Sequence, residues 1–421
     1  MNLLLPSRLF IGLSSFEMMA MFRRGLFYAY LSIYLRHFLG LSVTETTLFA
    51  TAPMITNIVF QTFVWGRISD RYQIRRSLII AGEWLAALGT VTLWYLHRQT
   101  ENPLTAGRII ICGLAVIEVF WSMSNIGWSA MISDFYTPSQ RSRIQGRLAS
   151  IGGLGRMLGV WSGGLLYDGF AGKYAGWGFQ AGPLFFIASA VMLISTVPLF
   201  FMPEGGISNQ RPAASDPKPA PVVTGRHSAL WLFLAAMVLI NFGRNGIAII
   251  LPQYLVMDSG LAISSRALSN VVNIQSASMI LFGLVVGRLS ERFGDKKLLL
   301  AGIAATMAAL LILALSMRIE MIYLANFIRG ATDVVIMATS YSLASVLIPA
   351  EQRARLFSFY NATFFLSWGL AGTLVAGPLI DLLIASGHEP VFAYRASFVA
   401  AAVITAAGLA LLALIWRRLP R

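Results

Sequence analysis

Several arginines lie in the middle of long apolar stretches of this sequence, where a charged side chain is energetically costly. Arg23 and Arg24 lie near the centre of the first stretch, and Arg244 takes the place of Arg24 in the seventh. A charge at the centre of a membrane-spanning helix costs at least about 2.5–3.5 kcal/mol, which marks it as a candidate functional residue. We therefore predict that these cations contact a bound solute.

Helical spacing adds polar and aromatic side chains to this candidate site. Tyr30 and Tyr34 follow Arg23 on one helical face, and Trp121 and Asn125 share a face of the fourth stretch. Tyr254 of the seventh stretch takes the place of Tyr34. The predicted substrate-binding residues are Arg23, Arg24, Tyr30, Tyr34, Trp121, Asn125, Arg244 and Tyr254.

The charges inside the apolar stretches favour an anionic solute, because cations outnumber central acids there. The cations are Arg23, Arg24, Arg156, Arg244 and Arg329, and the central acids are Glu17, Glu118 and Asp333. Internal pairing is the alternative for two of the arginines. Arg329 is well spaced for a bridge to Asp333 on the same helix, and Arg156 would pair with Glu118 if the fourth and fifth stretches pack together.

Two of the acids are candidates for proton coupling. Burial favours the neutral form of a carboxyl group, so Glu118 and Asp333 could bind and release a proton during transport. The sequence contains no G-x-x-x-x-G-K-[ST] phosphate loop, so nothing supports direct ATP hydrolysis. The energy for transport would then come from an ion gradient.

The composition requires a membrane for most of the chain. Hydrophobic residues make up 57% and charged residues 12% of the 421 positions, against about 45–50% and about 25% in soluble domains. Apolar runs long enough to cross a bilayer as helices predict twelve spans. They lie at approximately 9–35, 45–66, 77–96, 107–134, 143–168, 181–202, 229–256, 264–287, 297–317, 320–347, 355–385 and 391–416.

The net charge of +14 is explained by membrane topology rather than by nucleic acid. Alternate connections between spans carry 19 Lys and Arg on one side and 7 on the other. Because basic residues accumulate on the cytoplasmic side, both termini are predicted there. We expect a multi-pass protein of the bacterial inner membrane.

The remaining chemistry-bearing residues predict neither an enzyme nor a cofactor. Cys112 is the single cysteine, so an intramolecular disulfide is excluded. The four histidines are scattered near predicted helix ends and form no pattern of metal ligands. We predict no metal, no cofactor and a monomeric chain.

A basic motif occurs twice, after the second and the eighth span. Its first copy runs from Gly66 to Arg76 and its second from Gly287 to Lys297, with the same internal spacing. Each copy is predicted to form a short loop at the cytoplasmic membrane surface. The chain thus contains two related halves, residues 1–202 and 229–421, joined by a Pro-rich cytoplasmic linker at 203–228.

The duplicated motif, of form G-x-x-x-[DE]-R-x-x-x-[RK]-[RK], together with twelve spans and a long central linker, resembles the major facilitator superfamily. The resemblance covers essentially the whole chain. It implies an all-α membrane protein with twelve transmembrane helices in two pseudo-symmetric six-helix bundles, which rock about a midplane site to give alternating access.

The resemblance also implies a gating role for the charged skeleton of both motifs. The matching residues are Gly66, Asp70, Arg71, Arg75, Arg76, Gly287, Glu291, Arg292, Lys296 and Lys297. Anchoring at the membrane surface is the structural alternative for these residues. Arg24 and Arg244 resemble the paired arginines of organophosphate:phosphate antiporters, which clasp an anion between them.

These observations predict a secondary active transporter of a small organic solute, with an anion favoured and with protons or another ion coupled. Proton-driven efflux of drugs or metabolites is the alternative. The Gly-rich fifth span loosely resembles that of drug antiporters, although Arg156 interrupts it and the usual proline is missing. A lipid translocase or a transporter-shaped sensor is the third alternative.

Overall fold

The computed structural model describes residues 8–136, 138–169, 176–205, 227–348 and 353–416. The backbone of these ranges is helical and contains no β-strand. By contacts, the chain divides into two units. One comprises Met1–Leu41 and Ala52–Asp216, and the other comprises Ser42–Thr51 and Pro217–Arg421. Residues 206–226 of the predicted linker lie outside the described ranges, so its extent stays a prediction.

Seventeen helices are found in the described ranges. The first nine are α1 (Arg8–Ile33), α2 (Val43–Phe60), α3 (Gly66–Tyr72), α4 (Arg75–Arg98), α5 (Pro103–Phe135), α6 (Pro138–Tyr167), α7 (Trp177–Gln180), α8 (Pro183–Ser195) and α9 (Val197–Phe200). The others are α10 (His227–Gly246), α11 (Ile250–Val256), α12 (Ser265–Phe293), α13 (Asp295–Leu315), α14 (Ile319–Leu347), α15 (Arg353–Ala371), α16 (Gly377–Ala385) and α17 (Pro390–Leu414). Single π-helical turns at Tyr34–Phe38, Gln61–Trp65 and Gly372–Ala376 extend α1, join α2 to α3 and join α15 to α16.

The helices fit the twelve predicted spans. Ten stretches of the described chain are long and apolar enough to cross a membrane. The first and fifth predicted spans are not among these ten; α1 and α6 each carry four charged residues, and α6 is also rich in glycine. At 26 and 30 residues, both are still longer than the roughly 20 residues that a bilayer requires.

Glycines bring two charged helices of the first unit into close contact. An ideal Cβ at Gly155, Gly159 or Gly163 of α6 would lie less than 3.0 Å from a backbone oxygen of α1. Only a residue without Cβ allows this approach, as the four-residue spacing predicts. The α1–α6 contact therefore fixes the position of the arginines in the middle of α1.

In the second unit, Asp381 of α16 binds the start of α2. Its Oδ1 and Oδ2 atoms accept hydrogen bonds of 2.9 and 2.8 Å from the backbone N–H groups of Val43 and Thr44. Thr373 adds hydroxyl contacts of 2.9 and 2.7 Å to Thr47 and Thr51. These contacts attach residues 42–51 to the second unit.

Substituting Gly159 by alanine tests the α1–α6 contact. Gly159→Ala is expected to lower the free energy of unfolding by about 1–3 kcal/mol, because its methyl group would overlap the Phe22 carbonyl oxygen. Gly146→Ala in the same helix is the control, since nothing lies within 4 Å of its Cβ position. Thermal unfolding of the purified proteins in detergent measures both. Equal melting temperatures for the two variants would contradict the predicted contact.

Removing the Asp381 carboxylate tests the attachment of α2. Asp381→Ala leaves two N–H groups without their acceptor and is expected to cost about 0.5–2 kcal/mol, the usual value of a helix cap. Hydrogen–deuterium exchange should rise in peptides covering residues 42–47. Asp258→Ala, a change at an exposed carboxylate, is the control. Unchanged exchange in Asp381→Ala would show that the cap contributes nothing.

Candidate functional site

Arg23 and Arg24 of α1 differ in exposure. Arg23 is buried, with 5% of its surface exposed, whereas Arg24 is exposed. Arg244 of the second unit is also buried, with 8% exposed. By burial, Arg23 is the residue of the first unit that is equivalent to Arg244. The sequence alignment of the two halves instead pairs Arg244 with Arg24.

Arg23 lies between an aromatic ring and a carboxylate. Its Cζ atom is 4.3 Å from the centre of the Trp121 ring, and its Nη1 atom is 3.9 Å from Oε2 of Glu83 on α4. Its Nε and Nη1 atoms have no hydrogen-bond acceptor among the described residues. The charge is thus stabilised by the π face and by a loose ion pair, a combination that leaves donors for a ligand.

Glu118 on α5 accepts a hydrogen bond from α2, whereas the sequence suggests a bridge to Arg156 of the fifth span. Its Oε1 atom is 2.6 Å from Nδ2 of Asn57 on α2. The predicted bridge from Arg156 is not among the contacts found for this carboxylate in the described chain. Arg24 and Arg23 act on it electrostatically. Glu118 therefore belongs to a polar cluster of the first unit, with Asn57 as the residue that orients it.

The tyrosines predicted to bind substrate have partners inside their own unit. Tyr30 is fully buried and donates a 2.8 Å hydrogen bond to the Val160 carbonyl oxygen. The Tyr34 hydroxyl lies 3.4 Å from Nε2 of His97. Both rings are part of the packing of α1 against its neighbours, and this packing explains their burial without a ligand. Their role in substrate binding stays a prediction.

Tyr254 is equally enclosed in the second unit. Its hydroxyl donates to Sδ of Met317 at 3.4 Å and accepts from Nε of Arg395 at 3.2 Å. Asn125, by contrast, is only partly buried and lies one helical turn beyond Trp121 on α5. Of the predicted polar residues outside α1, Asn125 is therefore the more accessible.

Arg244 is the centre of a polar network that joins three helices of the second unit. Its Nη1 atom is 3.1 Å from Oδ1 of Asp333 on α14, and its Nε donates to Asn241 at 3.0 Å. Gln275 of α12 donates to the other oxygen of Asp333 at 3.0 Å. Asp333 keeps 25% of its side chain exposed. One carboxylate thus joins α10, α12 and α14 and remains accessible.

The expected bridge between Arg329 and Asp333 on one helix is not formed. Nη1 of Arg329 donates instead to Oδ1 of Asn326 at 3.0 Å, and Asp333 pairs with Arg244. Tertiary contact across helices replaces the local pair because Arg244 lies closer to the carboxylate. Asp333 still acts electrostatically on Arg329, so two buried arginines share one acid.

The two units put different groups at equivalent places. Met123 of α5 packs against a glycine of α4, and Val335 of α14 packs against a glycine of α13. These matching contacts align position 123 of α5 with position 335 of α14. Trp121 and Asp333 each lie two residues before the aligned position. The first unit therefore offers its buried arginine an aromatic face where the second unit offers a carboxylate.

The gating motif of the first unit is helical, which corrects the predicted loop. Gly66–Tyr72 form α3, and Gln73 turns the chain with φ of 55° before α4 begins at Arg75. The guanidinium carbon of Arg71 lies 5.5 Å from the Tyr72 ring centre. The side chain of Asp70 lies outside the described part of the chain.

The basic pair of this motif has acidic partners within the first unit. Arg75 is buried, pairs with Asp134 of α5 at 3.3 Å and donates to the Ser69 hydroxyl. Arg76 pairs with Glu204 at 3.3 Å. These contacts tie the start of α4 to its neighbours, while the gating role of the pair stays a prediction.

The second motif is also helical up to its turn, but its contacts differ. Gly287–Phe293 end α12, and Gly294, with φ of 78°, replaces Gln73 at the turn. Lys296 lies 4.7 Å from the Trp416 ring centre and Arg292 lies 5.3 Å from that of Phe293. No atom lies near the Cβ position of Gly287, and the exposed Glu291 and Lys297 complete the charged surface. Their gating role stays a prediction that these contacts do not decide.

Sequence reasoning misses several partners of these charges. Glu83 is a lone acid in the third span, and its place in the middle of an apolar run is the signal that could identify it. Gln275 belongs to a polar edge of the eighth span that by itself indicates no role. Asp134 and Glu204 lie at span ends, where acids are common, so no sequence signal indicates their pairing.

Fold and site together define a multi-pass integral membrane protein with polar clusters inside each unit. The family model for the Major Facilitator Superfamily matches residues 13–268 and again 233–421. The chain therefore belongs to the major facilitator superfamily. This family match confirms the resemblance and the fold class predicted from the duplicated motif.

Known relatives cover different shares of the chain. The multidrug resistance protein MdtG of Proteus mirabilis is 24% identical over 341 residues, 80% of this chain and 78% of its own length. The class H tetracycline resistance protein of Pasteurella multocida is 27% identical over 169 residues, 39% of this chain. The match spans only 40% of that tetracycline resistance protein.

Solved structures agree in fold at low identity. A bacterial homolog of the human lysosomal transporter Spinster, in an inward-facing unoccupied conformation, has a TM-score of 0.73 at 16% identity and covers 99% of this chain and 98% of its own. The nucleoside transporter NupG has a TM-score of 0.68 at 13% identity, over 96% of this chain and 99% of its own. These likenesses establish the shared fold.

A double-mutant cycle tests the ion pair between Arg244 and Asp333. Asp333→Asn is expected to destabilise more than Arg244→Gln, because it leaves a buried cation without an anion, whereas Asp333 retains Gln275 and solvent. The double variant should show a coupling energy of about 0.5–3 kcal/mol. Unfolding of the wild type, the two single variants and the double variant in detergent measures this energy. Strictly additive single effects would contradict a direct interaction.

Proposed function

We propose that this protein is a secondary active transporter that moves a small organic anion by alternating access, with protons as the coupling ion. The observation that carries the proposal is the cluster in the second unit, where Arg244 and Arg329 share the single carboxylate of Asp333. The hydrogen-bond partner of Arg329 is the neutral amide of Asn326. Among the described residues, one positive charge of this cluster is therefore not neutralised.

The location of the unbalanced charge supports an anionic solute. In the first unit, Glu83 joins the central acids Glu17 and Glu118, so three carboxylates match the three arginines near the middle of the spans. The surplus of one cation thus belongs to the second unit. A carboxylate or phosphate of a solute would balance it through charge-assisted hydrogen bonds, which are about twice as strong as neutral ones.

Asp333 is the better placed of the two acids predicted to couple protons. It is partly exposed, and it holds Arg244 and Gln275 at the same time. A proton on Asp333 weakens its bond to Arg244 and makes that arginine available to the solute. Glu118, hydrogen-bonded to Asn57, is the second proposed site of protonation.

Removing the charge of Arg329 tests the anion site. Arg329→Gln should weaken the binding of small organic anions by about tenfold or more, the equivalent of one charge-assisted hydrogen bond. A thermal-shift screen of the purified protein against organic anions identifies a ligand, and calorimetry then compares the variants. Arg318→Gln is the control, because it removes an exposed charge at the start of the same helix. Equal affinities in the two variants would exclude an anion at this cluster.

The coupling of solute transport to protons is tested separately in proteoliposomes. Asp333→Asn and Glu118→Gln together should abolish uptake driven by a pH gradient but retain exchange of the same anion across the membrane, since exchange needs no net proton movement. Retained exchange also shows that the double variant is folded. If gradient-driven uptake is unchanged, the coupling assignment is wrong.

Efflux of drugs or metabolites is the second candidate, because the relatives named above are resistance proteins. Binding and transport by the same variants distinguish the two functions. Lipophilic cations that Arg329→Gln and Arg244→Gln still transport would favour efflux, whereas anions whose binding these variants lose favour the first proposal. A monomer in a bacterial inner membrane, with both termini in the cytoplasm, completes the proposal.

A further inference from the structure

An open cavity of about 220 Å³ lies between α1, α5 and α6 of the first unit. It is lined by Glu17, Trp128, Ser129, Ile132, Leu148 and Ala149. None of the residues that form the anion cluster of the second unit contributes to it. The cavity is therefore a separate feature that the proposed transport site does not explain.

Glu17 places a carboxylate on the wall of this cavity. Within the described residues it forms no hydrogen bond or ion pair, and Arg24 acts on it only electrostatically. Gly152 of α6 makes room for it, since a Cβ at that position would lie 3.0 Å from Oε1 of Glu17. An acid inside a membrane-spanning helix is costly and is normally paired or functional. This one faces open space.

The other walls fit a cation with an apolar body. Trp128, which packs against Phe16 with 5.1 Å between ring centres, offers an aromatic surface of the kind that attracts ammonium groups. The Ser129 hydroxyl donates a hydrogen bond to the Asn125 carbonyl oxygen. Ile132 and Leu148 supply apolar surface, and none of the six lining residues is basic.

We propose that this cavity binds a small organic ammonium ion, with Glu17 as its counter-ion and Trp128 as its aromatic wall. A protonated primary amine on a short apolar body matches the lining, because the Glu17 carboxylate accepts its N–H groups. Its body then contacts the apolar side chains. The site is independent of the anion cluster, so either can fail without the other.

Calorimetry on the full-length protein in detergent tests this site with phenethylammonium as the probe. We expect saturable binding that is about tenfold or more tighter than that of phenethyl alcohol, which has the same shape without the charge. Glu17→Gln should lose this difference, because it keeps the side-chain shape and removes the negative charge. Glu101→Gln, a change at an exposed acid, is the matched control and should bind as the wild type does.

A second variant separates binding from folding. Ala149→Phe keeps every charge and fills the cavity, so it should also lose the amine while its melting temperature stays near that of the wild type. The proposal is overturned if wild-type protein shows no saturable binding in the millimolar range. It is equally overturned if the alcohol binds as tightly as the amine, or if Glu17→Gln and Ala149→Phe both bind the amine unchanged.

Discussion

A guanidinium group in the middle of a membrane must be paired with other groups of the protein, and the interior of both units is built around such pairs. Lipid cannot solvate the charge, so each buried arginine is surrounded by groups that stabilise a cation. Glu83 and Asp333 are two such groups, and each comes from another helix than the arginine it pairs with. The arginines thereby determine which faces of the neighbouring helices point inward.

The two units meet this requirement with different chemistry on one backbone plan. In the first, close contact of α1 with the glycines of α6 positions Arg23 against the face of Trp121. In the second, Arg244 pairs with Asp333 at the equivalent position. A π face stabilises a cation and cannot take up a proton, whereas a carboxylate can do both. The duplicated halves therefore have different capacities at matching sites.

Sequence predicts the fold far better than it predicts these pairs. Apolar runs and a duplicated motif predict an all-helical membrane protein of this family, because both depend only on distance along the chain. Pairing across helices depends on the rotation of each helix about its axis, which periodicity does not fix. Arg329 and Asp333 show the consequence, since their spacing suggests a local bridge and the structure places Arg244 nearer. The duplicated motif is likewise predicted to be a loop from its charges, which do not show how far the helices extend into it. Most of the motif is helical, and its turn occupies only Gln73 and Ile74 in the first unit and Gly294 in the second.

The shared acid of the second unit links charge to binding in the proposed transporter. With Asp333 ionised, one of its two neighbouring arginines is balanced and the other is not. Protonation of Asp333 would leave both buried arginines without an anion, which is costly. An incoming anion removes that cost, so solute and proton each favour the binding of the other, and the coupling is necessarily reciprocal. In the proposed transporter, Asp333 would thereby couple the binding of the anion to the binding of a proton.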